Sequence, residues 1–205
     1  PLSASVLDRA QRAELAKAAR REEILDAARR VFAERGFRGT TIADIAEEAN
    51  IALGTIYLYF SSKEDVFGAL NQRFNEVIVS ATRDVPPGRT VGETTRRYVE
   101  SVFTACAANR DLVRLVVLNT DPESDIAKRM RTADNKRNRP LVHALARGMK
   151  DGAVRKGDPE IIANLVRGAV SMAVYQAFIV SDGNDARKYR DACGDMLSAY
   201  LTPSE

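Results

Sequence analysis

The 205-residue sequence predicts an all-α fold. Three features carry that prediction. No run alternates apolar and polar residues as a half-buried strand does, whereas long segments rich in Ala, Leu, Arg and Glu keep the helical period. Helix-start signals recur: Thr41 with Asp44, Ser61 with Glu64 and Thr90 with Glu93 have capping spacing. Asp121-Pro122 and Asp158-Pro159 each place a capping carboxylate before a proline, whose missing N–H would go unbonded at that position anyway. With 45% hydrophobic residues the composition is that of an ordinary globular chain, long enough for one sizeable domain or two small ones.

The first helix begins near Arg20, and the Ala-rich segment back to Ser5 is able to extend it. Ile24, Ala28, Val31 and Phe32 form its inner face, and Gly36 ends it. Residues 1–19 read either as a basic arm or as an extension of this helix. Arg9, Arg12, Lys17, Arg20 and Arg21 outnumber Asp8 and Glu14 at this end, so it suits added phosphate or minor-groove contacts. A solvated helix extension explains the same charges.

Thr41 caps a second helix that runs to about Ala49, with Ile42, Ile45, Ala46 and Ala49 spaced as one buried stripe. Asn50 follows, a residue able to take the left-handed conformation of a sharp turn, and Ile51 plugs the angle. The next helix, Leu53 to Phe60, turns Ile56 and Phe60 inward and leaves Thr55, Tyr57, Leu58 and Tyr59 on its surface. Two short helices about a tight turn form a helix-turn-helix, whose second helix enters the major groove of DNA. Ser61 to Glu64 then read as a capping box with Ser61 as the cap. The free N–H groups of that helix start and the Lys63 ammonium suit one phosphate.

Val66, Phe67, Leu70, Phe74 and Val77 make the apolar side of this next helix, which fades near Asp84 before the break at Pro86-Pro87-Gly88. Thr90 opens a helix to about Asn109, and a short one from Asp111 carries Leu112, Leu115, Val116 and Leu118. Asp121-Pro122 opens another, Pro140 marks a start or kink, and Gly152 a stop. Asp158-Pro159 starts the long helix to residue 180, and the last helix runs from about Asp185 to Leu201.

The sequence argues against several functional classes. Cys106 and Cys193 lie in apolar helical contexts without CxxC spacing, as buried free thiols of a reducing cytosol do. His143 is the single histidine, so no metal cluster and no cofactor site is expected. Asp121, Glu123, Asp125, Asp134 and His143 have no spacing that sets a paired acid–base site apart from exposed helix carboxylates, so an enzyme is not expected. The first twenty residues lack the apolar core of a signal peptide. Arg167 within the apolar run 161–180 argues against a membrane span. The net charge is only +3, and the helix-turn-helix is not basic. Between Gly36 and Asp65 the cations are Arg38 and Lys63, against Asp44, Glu47, Glu48, Glu64 and Asp65.

The stretch T-I-A-D-I-A-E-E-A-N-I-A-L-G-T-I-Y-L-Y-F-S-S-K-E, Thr41 to Glu64, resembles the DNA-binding domain of the TetR family of bacterial transcriptional regulators. With the preceding helix and its Gly36-Phe37 stop, the likeness covers about a fifth of the chain. Asn50 stands where the family has Gly. Ala52 replaces the usual capping Ser, at a cost of about 1 kcal/mol. Leu53 replaces an often polar residue, which favours a thymine-methyl contact there.

The resemblance implies a three-helix helix-turn-helix DNA-binding domain at 20–65, and a helical effector-binding and dimerisation domain at 66–205. It implies a cytoplasmic, nucleoid-associated, ligand-responsive repressor. A homodimer would bind a near-palindromic double-stranded DNA operator until a small, largely apolar effector releases it. Thr41, Tyr57, Tyr59 and Lys63 are assigned to phosphates, and Leu53, Thr55 and Leu58 to bases, with Gly54 allowing close backbone approach. Packing between helices, with the hydroxyls in water, is the alternative for the tyrosines.

Candidate effector-pocket walls are Phe74, Phe103, Cys106, Leu115, Val116, Asn119, Met149, Val174, Tyr175 and Phe178, each also explained by core packing. Lys128 to Lys156 is rich in basic residues, suited to an anionic effector or to a solvated face. The helix 159–180 has Ile161, Leu165, Met172 and Ile179 on one side, and Ile162, Val166, Ala169, Ala173 and Ala177 on another. More than one face must therefore be covered. The second set, with Met196, Leu197 and Tyr200, is assigned to a dimer interface, the alternative being a core helix with no partner.

Overall fold

A computed structural model describes residues 8–83, 85–119 and 139–203, and every regular element among them is helical. Nine helices are described: α1 (Arg9–Arg35), α2 (Ile42–Glu48), α3 (Leu53–Ile56), α4 (Lys63–Arg83), α5 (Val91–Ala108), α6 (Arg110–Asn119), α7 (Arg139–Lys150), α8 (Pro159–Tyr175) and α9 (Ala186–Leu201), with a π-helical turn, Gln176–Val180, continuing α8. The chain divides into two compact units, Pro1–Gln72 and Arg73–Glu205, with the division inside α4.

In the first unit α1 begins at Arg9. Asp8 caps it by accepting the Gln11 N–H at 2.7 Å, while the Gln11 side chain accepts the Asp8 N–H at 3.0 Å. Residues 8–20 are exposed throughout, so this stretch is a solvated helical extension. From Ile24 onward the helix buries Ile24, Leu25, Ala27, Ala28, Val31 and Phe32. Gly36 ends it at φ 70, a conformation that glycine adopts without strain. Ile45, Ala46, Ile56, Phe60, Val66, Phe67 and Leu70 complete this core. Ile24, Ile45 and Ile56 have no exposed surface, and truncation of such a side chain to Ala costs about 2–5 kcal/mol.

In the second unit α5, α8 and α9 supply most of the core: Val99, Val102, Phe103 and Cys106; Ile162, Ala163, Val166, Val170, Ala173 and Val174; and Cys193, Leu197 and Leu201. The turn after α8 adds Ala177 and Phe178. Small residues let α5 and α9 approach closely: a Cβ added to Gly92 would lie 2.3 Å from the Ser198 Oγ. Asp158 caps α8 through the Glu160 and Ile161 N–H groups, with Pro159 in the first turn as its spacing predicts. Pro159–Val180 is long and apolar enough to cross a membrane by length and composition, yet one face of it packs into this core.

Three local expectations are corrected. The second helix of the helix-turn-helix was expected to reach Phe60, but its α-helical ladder stops at Ile56, because Ala52 supplies no side-chain cap and Gly54 weakens a short helix. Beyond it Leu58 and Tyr59 donate to the Thr55 and Ile56 carbonyls at 3.1 and 3.0 Å, a tightened last turn that still points Ile56 and Phe60 inward. Ser62, not Ser61, caps α4: its Oγ accepts the Asp65 N–H at 3.1 Å, and the Asp65 carboxylate, not Glu64, returns to the Ser61 N–H at 3.0 Å. Thr90 caps α5, while Glu93 accepts the N–H of Arg89, one residue earlier than a capping box requires. The helix expected at Asp121-Pro122 lies outside the described residues.

Candidate nucleic-acid interface

Local chemistry positions the recognition segment from both sides. Thr41 caps α2 by a complete capping box: its Oγ accepts the Asp44 N–H at 3.2 Å, and the Asp44 carboxylate accepts the Thr41 N–H and hydroxyl, each at 2.7 Å. Those bonds, from side chain and then backbone, with the Arg35 guanidinium beside them, hold the Asp44 carboxyl below its ordinary value. Asn50 takes φ 52, so the left-handed residue of the turn is the one its chemistry selects. The chain then enters α3, where Ile56 and Phe60 are buried.

What α3 and its last turn present is largely apolar and aromatic. Leu58 is 75% exposed, Tyr57 51% and Leu53 46%, with Thr55 and Tyr59 half-buried beside them. Gly54 is exposed, and a Cβ added there meets nothing within 4 Å. Its φ is not in the left-handed region, so nothing inside the protein demands glycine at a helix position that glycine weakens.

The two residues assigned to phosphate at the rim are already engaged. The Lys63 ammonium donates to the Phe37 carbonyl at 2.9 Å and to the Thr40 carbonyl at 2.8 Å, and lies 4.6 Å from the centre of the Phe37 ring. Thr40, buried, donates its own hydroxyl to the Gly36 carbonyl at 2.7 Å. Lys63 thus locks the loop between α1 and α2, and two of its three N–H donors are spent on that. Both Thr41 donors go to Asp44. Thr40 was not singled out from the sequence, although a small polar residue just before a cap is the available signal. Arg38, also passed over, is an exposed cation in the same loop, carried between Phe37 and Gly39.

The acidic character of the helix-turn-helix is largely cancelled on its α1 side. Arg35 pairs with Asp44 at 2.7 Å and Arg30 with Glu48 at 2.6 Å. Such exposed pairs add little to stability. Their consequence here is electrostatic: two carboxylates of α2 are neutralised next to a face suited to a polyanion. Arg21 lies 4.9 Å from the Phe60 ring centre, so the solvated basic part of α1 leaves the domain beside the end of the recognition segment.

In the second unit the ten effector-pocket candidates are spread between its core and its surface. Phe103, Cys106, Val174 and Phe178 are core residues, with the Phe103 and Phe178 ring centres 5.9 Å apart, and Phe74 and Met149 pack against that core. Burial pushes the Cys106 thiol up to about 12, so it stays neutral. Leu115 and Val116 are buried on α6, Asn119 bonds back to the Leu115 carbonyl at 2.9 Å, and Tyr175 is exposed. Among the described residues, a surface groove of about 480 Å³ is lined by Ala81, Pro86, Arg97, Glu100, Ser101 and Thr104 among others, none of them a candidate. Of the basic run, Lys128 to Arg137 lies outside the described residues, and Arg147 and Lys150 are exposed on α7.

Most of the α8 face that the sequence assigns to a dimer interface lies inside the subunit. Ile162, Val166, Ala173 and Ala177, with Leu197 of α9, are buried in the subunit's own core and Ala169 is partly so, because α5 and α9 cover that side. The exposed face is Ile161, Leu165, Gly168, Met172 and Tyr175. Met196 and Tyr200, assigned to the interface, are exposed on α9.

Comparison with known proteins agrees with this architecture. Residues 24–70 match the family described as bacterial regulatory proteins, tetR family. The chain is 29% identical over 171 residues to the HTH-type transcriptional repressor KstR2 of Rhodococcus jostii (strain RHA1), covering 77% of this chain and 79% of that protein. It is 26% identical over 156 residues to the fatty acid metabolism regulator protein of Bacillus subtilis (strain 168), covering 74% and 80%. Its fold is similar to that of the transcriptional regulator FadR from Bacillus subtilis in complex with stearoyl-CoA, with a TM-score of 0.75 at 22% identity over 88% of this chain and 98% of that one. Residues 24–70 thus carry the DNA-binding domain of the tetR family of bacterial regulatory proteins, and relatives named as transcriptional regulators are similar to this chain along about three quarters of its length.

Proposed function

We propose that the protein is a ligand-responsive transcriptional repressor of the cytosol that binds a near-palindromic operator as a homodimer and is released by a largely apolar small molecule. The observation that carries the reading is the recognition segment. It is locked by Ile56 and Phe60, and its exposed face is built of Leu53, Gly54, Thr55, Tyr57 and Leu58. Tyr57 and Tyr59 reach phosphates, Leu53, Thr55 and Leu58 face bases, and Gly54 lets the backbone close on the duplex. Lys63 serves mainly by holding the α1–α2 loop, and Arg38 supplies an exposed cation of that loop. The basic start of α1 adds phosphate contacts.

The dimer forms on the exposed apolar face of α8 and α9, Ile161, Leu165, Met172, Tyr175, Met196 and Tyr200, which a lone subunit leaves in water. The relatives point to an acyl-coenzyme A thioester as the first effector to try, since one is a fatty acid metabolism regulator and a structural neighbour holds stearoyl-CoA. α4 runs unbroken from Lys63 to Arg83. A shift of its C-terminal half therefore carries Lys63 and the loop it holds, changing the separation of the two reading heads in the dimer. A bias of about 3 kcal/mol toward the splayed state lowers operator affinity over a hundredfold.

The test is linkage. The full chain, titrated with an operator duplex recovered from a random-sequence pool, loses affinity when stearoyl-CoA is added, and binds stearoyl-CoA more weakly by the same factor when saturated with that duplex. Equal affinities in both directions exclude this effector, and the same result across other acyl thioesters and apolar metabolites leaves a DNA-binding protein without an inducer.

A further inference from the structure

We infer that the protein recognises its operator chiefly through thymine C5-methyl groups, with Leu58 the principal reader and Leu53 the second. The inference rests on the reading of α3 and its last turn as the major-groove element. From Ile51 to Ser61 the chain carries no Arg, Lys, Asn, Gln, Asp or Glu. The side chains that make bidentate hydrogen bonds to guanine or adenine, or accept from cytosine, are therefore missing from the segment that would enter the groove. What it exposes instead is Leu58, Tyr57 and Leu53, with a half-buried Thr55.

Of the groups on the major-groove edge, the thymine methyl is the one that an aliphatic side chain contacts favourably. The hydrogen-bonding groups there are ones a leucine desolvates without repayment, and the cytosine C5–H, in the place of the methyl, offers it less apolar surface. Leu58 is the most exposed large apolar residue among the described residues, and Ile56 and Phe60 on either side of it hold the backbone in place. Gly54 has open space beyond its α-carbon, which lets the segment approach closely enough for van der Waals contact with a methyl group. Of the charges nearest in sequence, Lys63 is engaged with the Phe37 and Thr40 carbonyls and Asp65 with Ser61, while Glu64 is an exposed carboxylate outside the segment. Discrimination by this face is therefore apolar: thymine over cytosine at a read position, and 5-methylcytosine treated as thymine.

The test replaces thymine by deoxyuridine, which removes the methyl and leaves base pairing and every hydrogen-bonding group unchanged. The full-length protein selects duplexes from a random-sequence pool, and each thymine of the selected site is then replaced in turn. At one or two thymines per half-site deoxyuridine weakens binding about fourfold, the value of one buried methyl, and elsewhere it has no effect. At those positions cytosine binds poorly, and 5-methylcytosine restores part of the loss. Leu58→Ala, a change at an exposed position, removes the preference at its position, so that thymine and deoxyuridine duplexes bind the variant alike. Equal binding of thymine and deoxyuridine duplexes at every position overturns methyl recognition while leaving sequence-specific DNA binding intact. Persistence of the preference in both Leu58→Ala and Leu53→Ala overturns the assignment to these residues. A pool from which no sequence is enriched overturns the inference together with the reading on which it rests.

Discussion

The Lys63 ammonium donates to the Thr40 carbonyl at 2.8 Å, tying the first turn of α4 to the residue just before the α2 cap. Its second bond goes to the Phe37 carbonyl and its charge lies over the Phe37 ring, so three elements of the DNA-binding unit meet at one side chain. Lys63→Met keeps the aliphatic stem and removes these bonds. It is expected to cost about 1–3 kcal/mol, because two carbonyls of a half-buried site lose a charged donor. Thermal unfolding of the variant should shift down by several degrees, with DNA binding weakened on all sequences alike. An unchanged melting temperature with a salt slope lowered by one would make Lys63 a phosphate ligand first.

Gly54→Ala separates stability from function. Its added Cβ meets nothing within 4 Å, and alanine favours a helix over glycine by up to about 1 kcal/mol. The variant should therefore melt at the same temperature or higher while binding operator more weakly. Full operator affinity in the variant would mean that the duplex does not approach the backbone at this position.

Thr41 and Asp44 predict a pH signature. The folded Asp44 carboxyl lies below its ordinary 3.8, so its contribution to stability is fully present above that pH and is lost as pH falls through the folded value. Thr41→Val removes the hydroxyl that leads this effect. The gap in melting temperature between wild type and variant should be constant from pH 8 to 5 and narrow in more acidic solution. A gap that widened on acidification would reverse the assignment.

Leu165→Glu with Met172→Glu should give a folded monomer, since both residues are exposed in the subunit and would face a partner helix. Val166→Glu, one residue along but in the core, should unfold the second unit instead. Sedimentation and circular dichroism distinguish the two. A double variant that sediments as an intact dimer places the interface elsewhere.

These contrasts also mark what the sequence could disclose. The Thr41–Asp44 cap, the left-handed Asn50 and the Asp158-Pro159 helix start were legible because each is decided within four residues. Ser61 and Ser62 are adjacent and chemically identical, so spacing alone named the wrong one as the cap of α4. Lys63 finds its carbonyl partners 23 and 26 residues away, and no local pattern announces them. On α8 both the Ile161 and Ile162 faces are apolar. Which one enters the core is decided by where α5 and α9 land, a tertiary fact outside the helix's own period. The effector walls were chosen by residue type, and in the subunit those types mostly pack against one another.

That the α3 segment of a dimer reads DNA is tested by selection by the full chain from a random-sequence duplex pool, followed by footprinting of the enriched site. A near-palindrome with half-sites about one helical turn, roughly 34–36 Å, or a multiple apart is expected to be enriched, with protection lost in the Leu58→Ala, Tyr57→Ala double variant. No enrichment, or enrichment and protection unaffected by that variant, would contradict it.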